Sequence, residues 1–396
     1  MIDEYYRDLM DAPISNWVTL LKEWVLDERY GLKQNEPLED YIKELSERTM
    51  GITKPQMKKL SEGRHPSMKN VFDSVKLIPD NLQYAVATYA IESLKKHPKQ
   101  LWGLHAGTGK SRIMACAGLY ALLKTEDVII HFVFHTKHMM AQNMRDFDNY
   151  WMFTKTSVRV KYHDTLEYDS APEDIHIVDE LDWHLYKDPE AAKKHLENRR
   201  VIGLTATLGD KNYTSLEARA ARIIGFKVCD FWPKEATKPV EPFFDYPMDA
   251  LDVGTLYRAI KQRLEQNMPV LLYCEKEWLD LLQKKGLKPI CINPDSSEPL
   301  PAVMTKKDNG RYQFFAATDE RAMRGTNLRA PDQSINLIVA KPFSSRREMK
   351  QGLLRVGRYY DPCLRQILNH VVSIDVNEEL KLNQRLFAFT QAHGST

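Results

Sequence analysis

The sequence predicts an α/β protein: two tandem parallel-sheet domains preceded by an all-helical N-terminal domain. Three observations predict it. Short apolar runs alternate with helical segments from Leu101 onward, a proline-rich passage interrupts that alternation before it resumes, and the residues up to about Ile78 carry helical periodicity without a strand signal. The boundaries that follow are residues 1–78 for the helical domain, 79–230 for the first sheet domain, 231–247 for a linker and 248–396 for the second sheet domain.

Taken in order, Ser15 to Tyr30 places Trp17, Leu20, Leu21, Trp24 and Val25 at helical spacing with Gly31 as its stop, and Leu38 to Met50 repeats the pattern before Gly51. Leu101–Leu104, Val128–Phe134, Asp174–Val178 and Val201–Leu204 read as strands buried on both faces, because a parallel strand covered by helices on each side is apolar throughout. Pro233, Pro239, Pro242 and Pro247 mark the linker. Val270–Cys274, Phe314–Ala317 and Ile335–Val339 are the strands expected beyond it, with one more near Val371 and a closing helix from Asn377 to about Phe389.

The 396 residues suit two or three domains of about 100–200 residues each. At 43% hydrophobic and 28% charged residues the chain is globular, which excludes disordered, collagen-like and disulfide-scaffold classes. Lys+Arg 56 against Asp+Glu 54 leaves a formal charge of +2, so any surface for a polyanion has to be local. The five scattered cysteines contain no C-x-x-C pair and read as reduced thiols. The opening MIDEYYRDLM lacks the order of a signal peptide and no apolar run reaches membrane-spanning length; the expectation is a soluble, cytoplasmic protein with no membrane partner.

Chemistry enters after the first strand. His105-Ala106-Gly107-Thr108-Gly109-Lys110-Ser111 opens a helix expected over Arg112 to Leu123. A glycine-rich turn there lets backbone N–H groups of Gly107, Thr108 and Gly109 face phosphates, Lys110 adds a point charge, and Ser111 offers its hydroxyl to Mg2+. Leu104 stands where the general G-x-x-x-x-G-K-S/T pattern has its first glycine. After the strand Ile175–Val178 come Asp179-Glu180-Leu181-Asp182, with Asp179 suited to hold Mg2+ through water and Glu180 to orient or deprotonate an attacking water.

From about Leu77 to Arg358 the sequence resembles the superfamily 2 helicases and translocases. Motif I resembles Ala106–Ser111, motif II Asp179–Asp182, motif III Thr205-Ala206-Thr207, and motif IV Val270–Glu275; motif V is similar to Thr318-Asp319 with Arg324-Gly325-Thr326-Asn327, and motif VI to Gln351–Arg358, where Leu354 replaces a common glycine. The resemblance implies two RecA-like domains with ATP and Mg2+ held where they face each other. It implies that Arg355 and Arg358 are arginine fingers, a role worth about 10³–10⁵ in rate in phosphoryl transfer. It further implies that Gln351 positions the γ-phosphate or its water, that Gln83 reads the adenine edge, that Gly325 borders the nucleotide, and that Thr205 and Thr207 couple the cleft to a polynucleotide. On the same grounds His135, Thr136 and Lys137, resembling motif Ia, and Thr318 with Arg324 are candidate phosphate contacts on that strand, making binding salt-sensitive and non-specific.

The run from Leu45 to Ile78 looks like the Cro/repressor type of helix-turn-helix, with Gly51-Ile52 as the turn and Lys54–Glu62 as recognition helix. Lys54, Gln56, Lys58, Lys59 and Arg64 then suit base edges and phosphates, and Pro55 falls in a first turn, where proline is tolerated. A purely structural helical cap is the alternative reading of the same residues. The leading expectation is an ATP-dependent DNA helicase or double-strand translocase acting in replication, recombination or repair, with DNA favoured over RNA because motif III reads T-A-T. The competing readings are an ATP-dependent RNA helicase and an ATP-switched DNA-binding regulator or origin-recognition protein that does not unwind.

Overall fold

A computed structural model of the chain describes residues 86–87, 90–104, 109–125, 127–148, 157–206, 215–231, 243–244, 252–298, 314–324, 328, 335–353, 366–369 and 374–394. They divide into two compact units. Residues up to 135, 143–231 and 389–394 fall in the first, and 136–142 and 243–388 in the second, so the last residues of the chain group with the first unit where the sequence placed them in the second.

The first unit contains β1 (Lys99–Leu104), α1 (Lys110–Lys124), β2 (Ile130–Val133), β3 (Val160–His163), β4 (Ile175–Val178), α3 (Leu181–Lys187), α4 (Pro189–Leu196), β5 (Arg200–Thr205), α5 (Leu216–Ile223) and β6 (Lys227–Phe231); α2 (Lys137–Asp148) leaves β2. The strands lie in the order β3-β2-β4-β5-β1-β6, and every pairing is parallel. Continuous burial of Ile130–Val133 and Ile175–Val178 matches the expectation of strands covered on both faces. Two buried polar side chains at the start of β1 are paired: the Trp102 indole donates to Gln100 Oε1 at 3.0 Å, and Gln100 Nε2 donates to the Ala90 and His97 carbonyls.

One face of this sheet carries a stack of rings. His131 of β2 lies beside His176 of β4 and near His163 of β3, and the Tyr168 ring stacks on His163 at 3.6 Å between centroids. The stack is tied by hydrogen bonds, His131 Nδ1 with His163 Nε2 at 2.9 Å, His131 Nε2 with Asp174 at 3.1 Å and Tyr168 with His176 Nδ1 at 2.7 Å, while Arg199 covers the Tyr168 face at 4.2 Å. Burial, with the neighbouring His131, Lys161 and Arg199, pushes the His163 imidazole down to about 4; burial likewise holds His176 at about 2.

The second unit contains β7 (Phe243–Phe244), α6 (Val253–Glu265), β8 (Val270–Tyr273), α7 (Lys276–Lys284), β9 (Ile290–Cys291), β10 (Phe314–Ala317), α8 (Glu320–Met323), β11 (Asn336–Val339), α9 (Arg346–Leu353) and β12 (Gln366–Asn369), and α10 (Val376–His393) begins in it. Its sheet, β7-β12-β11-β8-β10-β9, is also wholly parallel. Alternate residues of β8 face opposite ways: Val270 and Leu272 pack with Leu256, Ile260 and Leu282, whereas Leu271 and Tyr273 pack with Phe315, Leu337 and Phe343. The proline-rich passage read as linker is in part strand, since Phe231 ends β6 and Phe243–Phe244 pairs with β12. No helix among the described residues is long and apolar enough to cross a membrane.

Candidate active site

In an open parallel sheet the C-terminal strand ends gather the loops that bind ligands. β1 and β4 flank β5, so their ends are two inter-strand spacings apart, roughly 10 Å. Gly109 caps α1 with φ 81°, a left-handed turn that glycine adopts freely, and its carbonyl accepts from Arg112 N–H at 2.8 Å. No acidic residue stands in the first turn of α1, which leaves the positive end of that helix to Lys110 and Ser111.

On the other side, Asp179 N–H donates to the Val133 carbonyl at 2.9 Å and so fixes the end of β4 to β2. Glu180 follows with φ 50°, a left-handed conformation that is strained for a glutamate. A Cβ on Gly203 of β5 would lie 2.2 Å from Leu181 Cδ2; the absence of a side chain there lets α3 sit down on the sheet. The result is direct contact: Lys110 Nζ stands 3.3 Å from Glu180 Oε1, with the two side chains 13% and 1% exposed. Asp179, Asp182 and Thr205 are also buried around this point, at 4%, 0% and 0%.

Ser111 and Asp179 are hard oxygen donors, the kind Mg2+ takes, and a magnesium ion that shares substrate phosphates needs only one or two from the protein. Among the described residues no cluster of three or more His, Cys, Asp or Glu could hold a metal by itself.

Three residues expected to contact a polynucleotide, His135, Thr136 and Arg324, are buried. His135 and Thr136 are 6% and 4% exposed, and the Thr136 hydroxyl accepts from Met139 N–H at 3.2 Å as a cap for α2; of this trio only Lys137 is exposed. Arg324 is fully buried and donates to Glu348 Oε1 at 2.7 Å, so its guanidinium meets a carboxylate of its own unit. Thr318 is half-buried, and its carbonyl accepts from Lys341 Nζ at 3.1 Å. Gln351 lies on α9, fully buried. Sequence reasoning missed Lys341, Glu348 and the Gly203–Leu181 contact. Glu348 has a signal in retrospect, an acidic residue one helical turn before Gln351. Lys54, Gln56, Lys58, Lys59, Arg64, Gln83, Gly107, Thr108, Thr207, Gly325, Arg355 and Arg358 lie outside the described residues.

No protein-family model and no curated protein matches the sequence. Solved structures do. S. cerevisiae Dbp5 bound to RNA and ADP BeF3 superposes with a TM-score of 0.51 at 13% identity, over 83% of this chain and 94% of that one. A point variant of Dbp5, bound to the same two ligands, gives 0.50 at 12% over the same shares. At this identity the likeness is one of fold, and the fold is that of two tandem RecA-like parallel sheets.

Proposed function

We propose that the chain is a nucleic-acid-stimulated ATPase of helicase or translocase type. The observation that carries the reading is the meeting of Lys110 and Glu180, a glycine-capped lysine at a helix N-terminus and an acidic residue just beyond a central strand, at the C-terminal edge of a parallel sheet. That arrangement offers one cation to phosphate oxygens and one carboxylate to a water, which is most of what a protein must supply to phosphoanhydride hydrolysis.

Lys110 neutralises Glu180. An incoming triphosphate competes for the same ammonium, so binding transfers Lys110 to phosphate and releases Glu180 to orient water and accept its proton. The Ser111 hydroxyl and Asp179 would hold Mg2+, which would supply charge neutralisation on the phosphates. Arg355 and Arg358 are proposed to meet the charge developing in the transition state.

Comparison with Dbp5, whose structures hold RNA, supports a polynucleotide substrate and favours RNA at least as well as the DNA suggested by Thr205-Ala206-Thr207. ATP turnover by the full chain, measured with single-stranded RNA, single-stranded DNA and duplex DNA beside a strand-displacement assay, tests the reading. Stimulation by one polymer with displacement identifies a helicase on it, stimulation without displacement a translocase or switch, and no ATP turnover under any condition sinks the proposal. Removal of residues 1–78 is expected to weaken duplex binding while leaving core turnover.

A further inference from the structure

Segment 318–324 and segment 341–351 of the second unit are joined at three points. Lys341 Nζ donates to the Thr318 carbonyl at 3.1 Å; Ser344 donates from its N–H and hydroxyl to the two oxygens of Glu320, at 3.0 and 2.5 Å; and Arg324 donates to Glu348 at 2.7 Å. The third differs in kind. Arg321–Asp295 and Lys381–Glu378 are pairs in contact with water, whereas the side chains of Arg324 and Glu348 are 0% and 2% exposed. Two charges taken out of water recover little net stability from each other, but they tolerate little change of geometry, because a buried charge drawn away from its partner loses more than an exposed one does.

That pair acts on a helix with no room to adjust. Ser345 Oγ accepts from Glu348 N–H at 3.2 Å at the start of α9, and a Cβ on Gly352 would lie 2.5 Å from the Phe343 ring, so α9 rests against Phe343 without a gap. Gln351 follows Glu348 by three residues, hence on the same side of the helix, and is buried with it.

We propose that Glu348 is a positioning residue: its buried bond to Arg324 fixes the rotation of α9 against segment 318–324 and thereby sets where Gln351 stands for reaction. The assignment rests on the role of Gln351 in the proposed ATPase. It gives Arg324 work inside the domain and makes the two segments a single block.

The test uses the full chain with ATP, Mg2+ and either oligouridylate or oligodeoxythymidylate. Glu348→Gln takes from the guanidinium the carboxylate to which it donates, and the double substitution Arg324→Met with Glu348→Met removes both charges together, which is milder for a fold than removing one. Both variants are expected to lose about tenfold in kcat per folded molecule with KM for ATP within about twofold, and Glu348→Asp to recover part of the loss. The double variant is expected to keep the parental thermal midpoint. Parental kcat in a folded variant, or a loss confined to KM or to the folded fraction, overturns the proposal. If the parent itself hydrolyses no ATP, the functional reading fails, and hydrogen exchange in Glu348→Gln then decides the lock alone: amide protection lost together in 320–324 and 346–353 sustains it, and loss in 346–353 only overturns it.

Discussion

Lys110 Nζ lies 3.3 Å from Glu180 Oε1, joining the start of α1 to the turn after β4 across an intervening strand. The partners differ in their access to water, 13% against 1%, so removing one is not equivalent to removing the other. Lys110→Ala takes the ammonium from a buried carboxylate and should lower stability by up to about 3–5 kcal/mol at neutral pH, whereas Glu180→Gln leaves a lysine that can turn to solvent and should lower it less. Both should abolish ATP turnover. Chemical denaturation read beside hydrolysis separates the two effects; substantial hydrolysis by either variant removes the active-site assignment.

Gly203→Ala places a methyl where Leu181 already stands, 2.2 Å from its Cδ2 and 2.9 Å from its Cβ. Lifting α3 to make room should cost about 1–3 kcal/mol and displace the neighbouring Glu180 from Lys110. Adding Leu181→Ala should restore much of the lost turnover while lowering stability further, because it removes the clash together with buried surface. A Gly203→Ala protein with parental midpoint and parental hydrolysis would show that the close approach is not needed.

The ring stack predicts an acid limit. His163 binds its proton at about 4 in the folded chain and at about 6.5 when unfolded, with burial the larger cause. Between those values the unfolded chain takes up a proton that the folded chain refuses, so stability is undiminished above about pH 6.5, falls as pH drops toward 4, and loses no more through this group below it. His176 adds to the slope in the same direction. Thermal midpoints measured from pH 7 to pH 4 should therefore fall less steeply in His163→Phe, which keeps a ring against Tyr168 and cannot titrate.

Lys137 and Arg324 should separate in their response to salt. Lys137 is exposed after β2, and its replacement by alanine should weaken polynucleotide binding and reduce the slope of log K against log salt by about 0.7–0.9, the value of one phosphate contact. Arg324→Met should leave that slope unchanged while lowering stability, since its partner is Glu348. Fluorescence-anisotropy titrations at several salt concentrations check both; a reduced slope in Arg324→Met would return that residue to the binding surface.

The strands that sequence made legible are the central ones. Ile130–Val133, Ile175–Val178, Val270–Tyr273 and Phe314–Ala317 are buried along their whole length and apolar or nearly so. β3, β6, β7 and β9 escaped notice, and all four are sheet edges, where VKYH and KVCDF can mix charge with apolar residues and a strand can be two residues long. The site divides in the same way. Gly109, Lys110, Asp179 and Glu180 announce themselves because their chemistry is tied to local turns. The bond of Arg324 was not legible, because sequence shows its charge and not that the carboxylate 24 positions later comes to lie against it.

Glu180 occupies a left-handed backbone position, φ 50° and ψ 46°, where glycine and asparagine rest most easily. The two residues that would relax this turn most both lack a carboxylate. Directed evolution for heat resistance alone should drift toward Glu180→Gly or Glu180→Asn and yield sturdier, silent proteins, while selection for turnover should hold the glutamate and seek its ruggedness elsewhere in the chain.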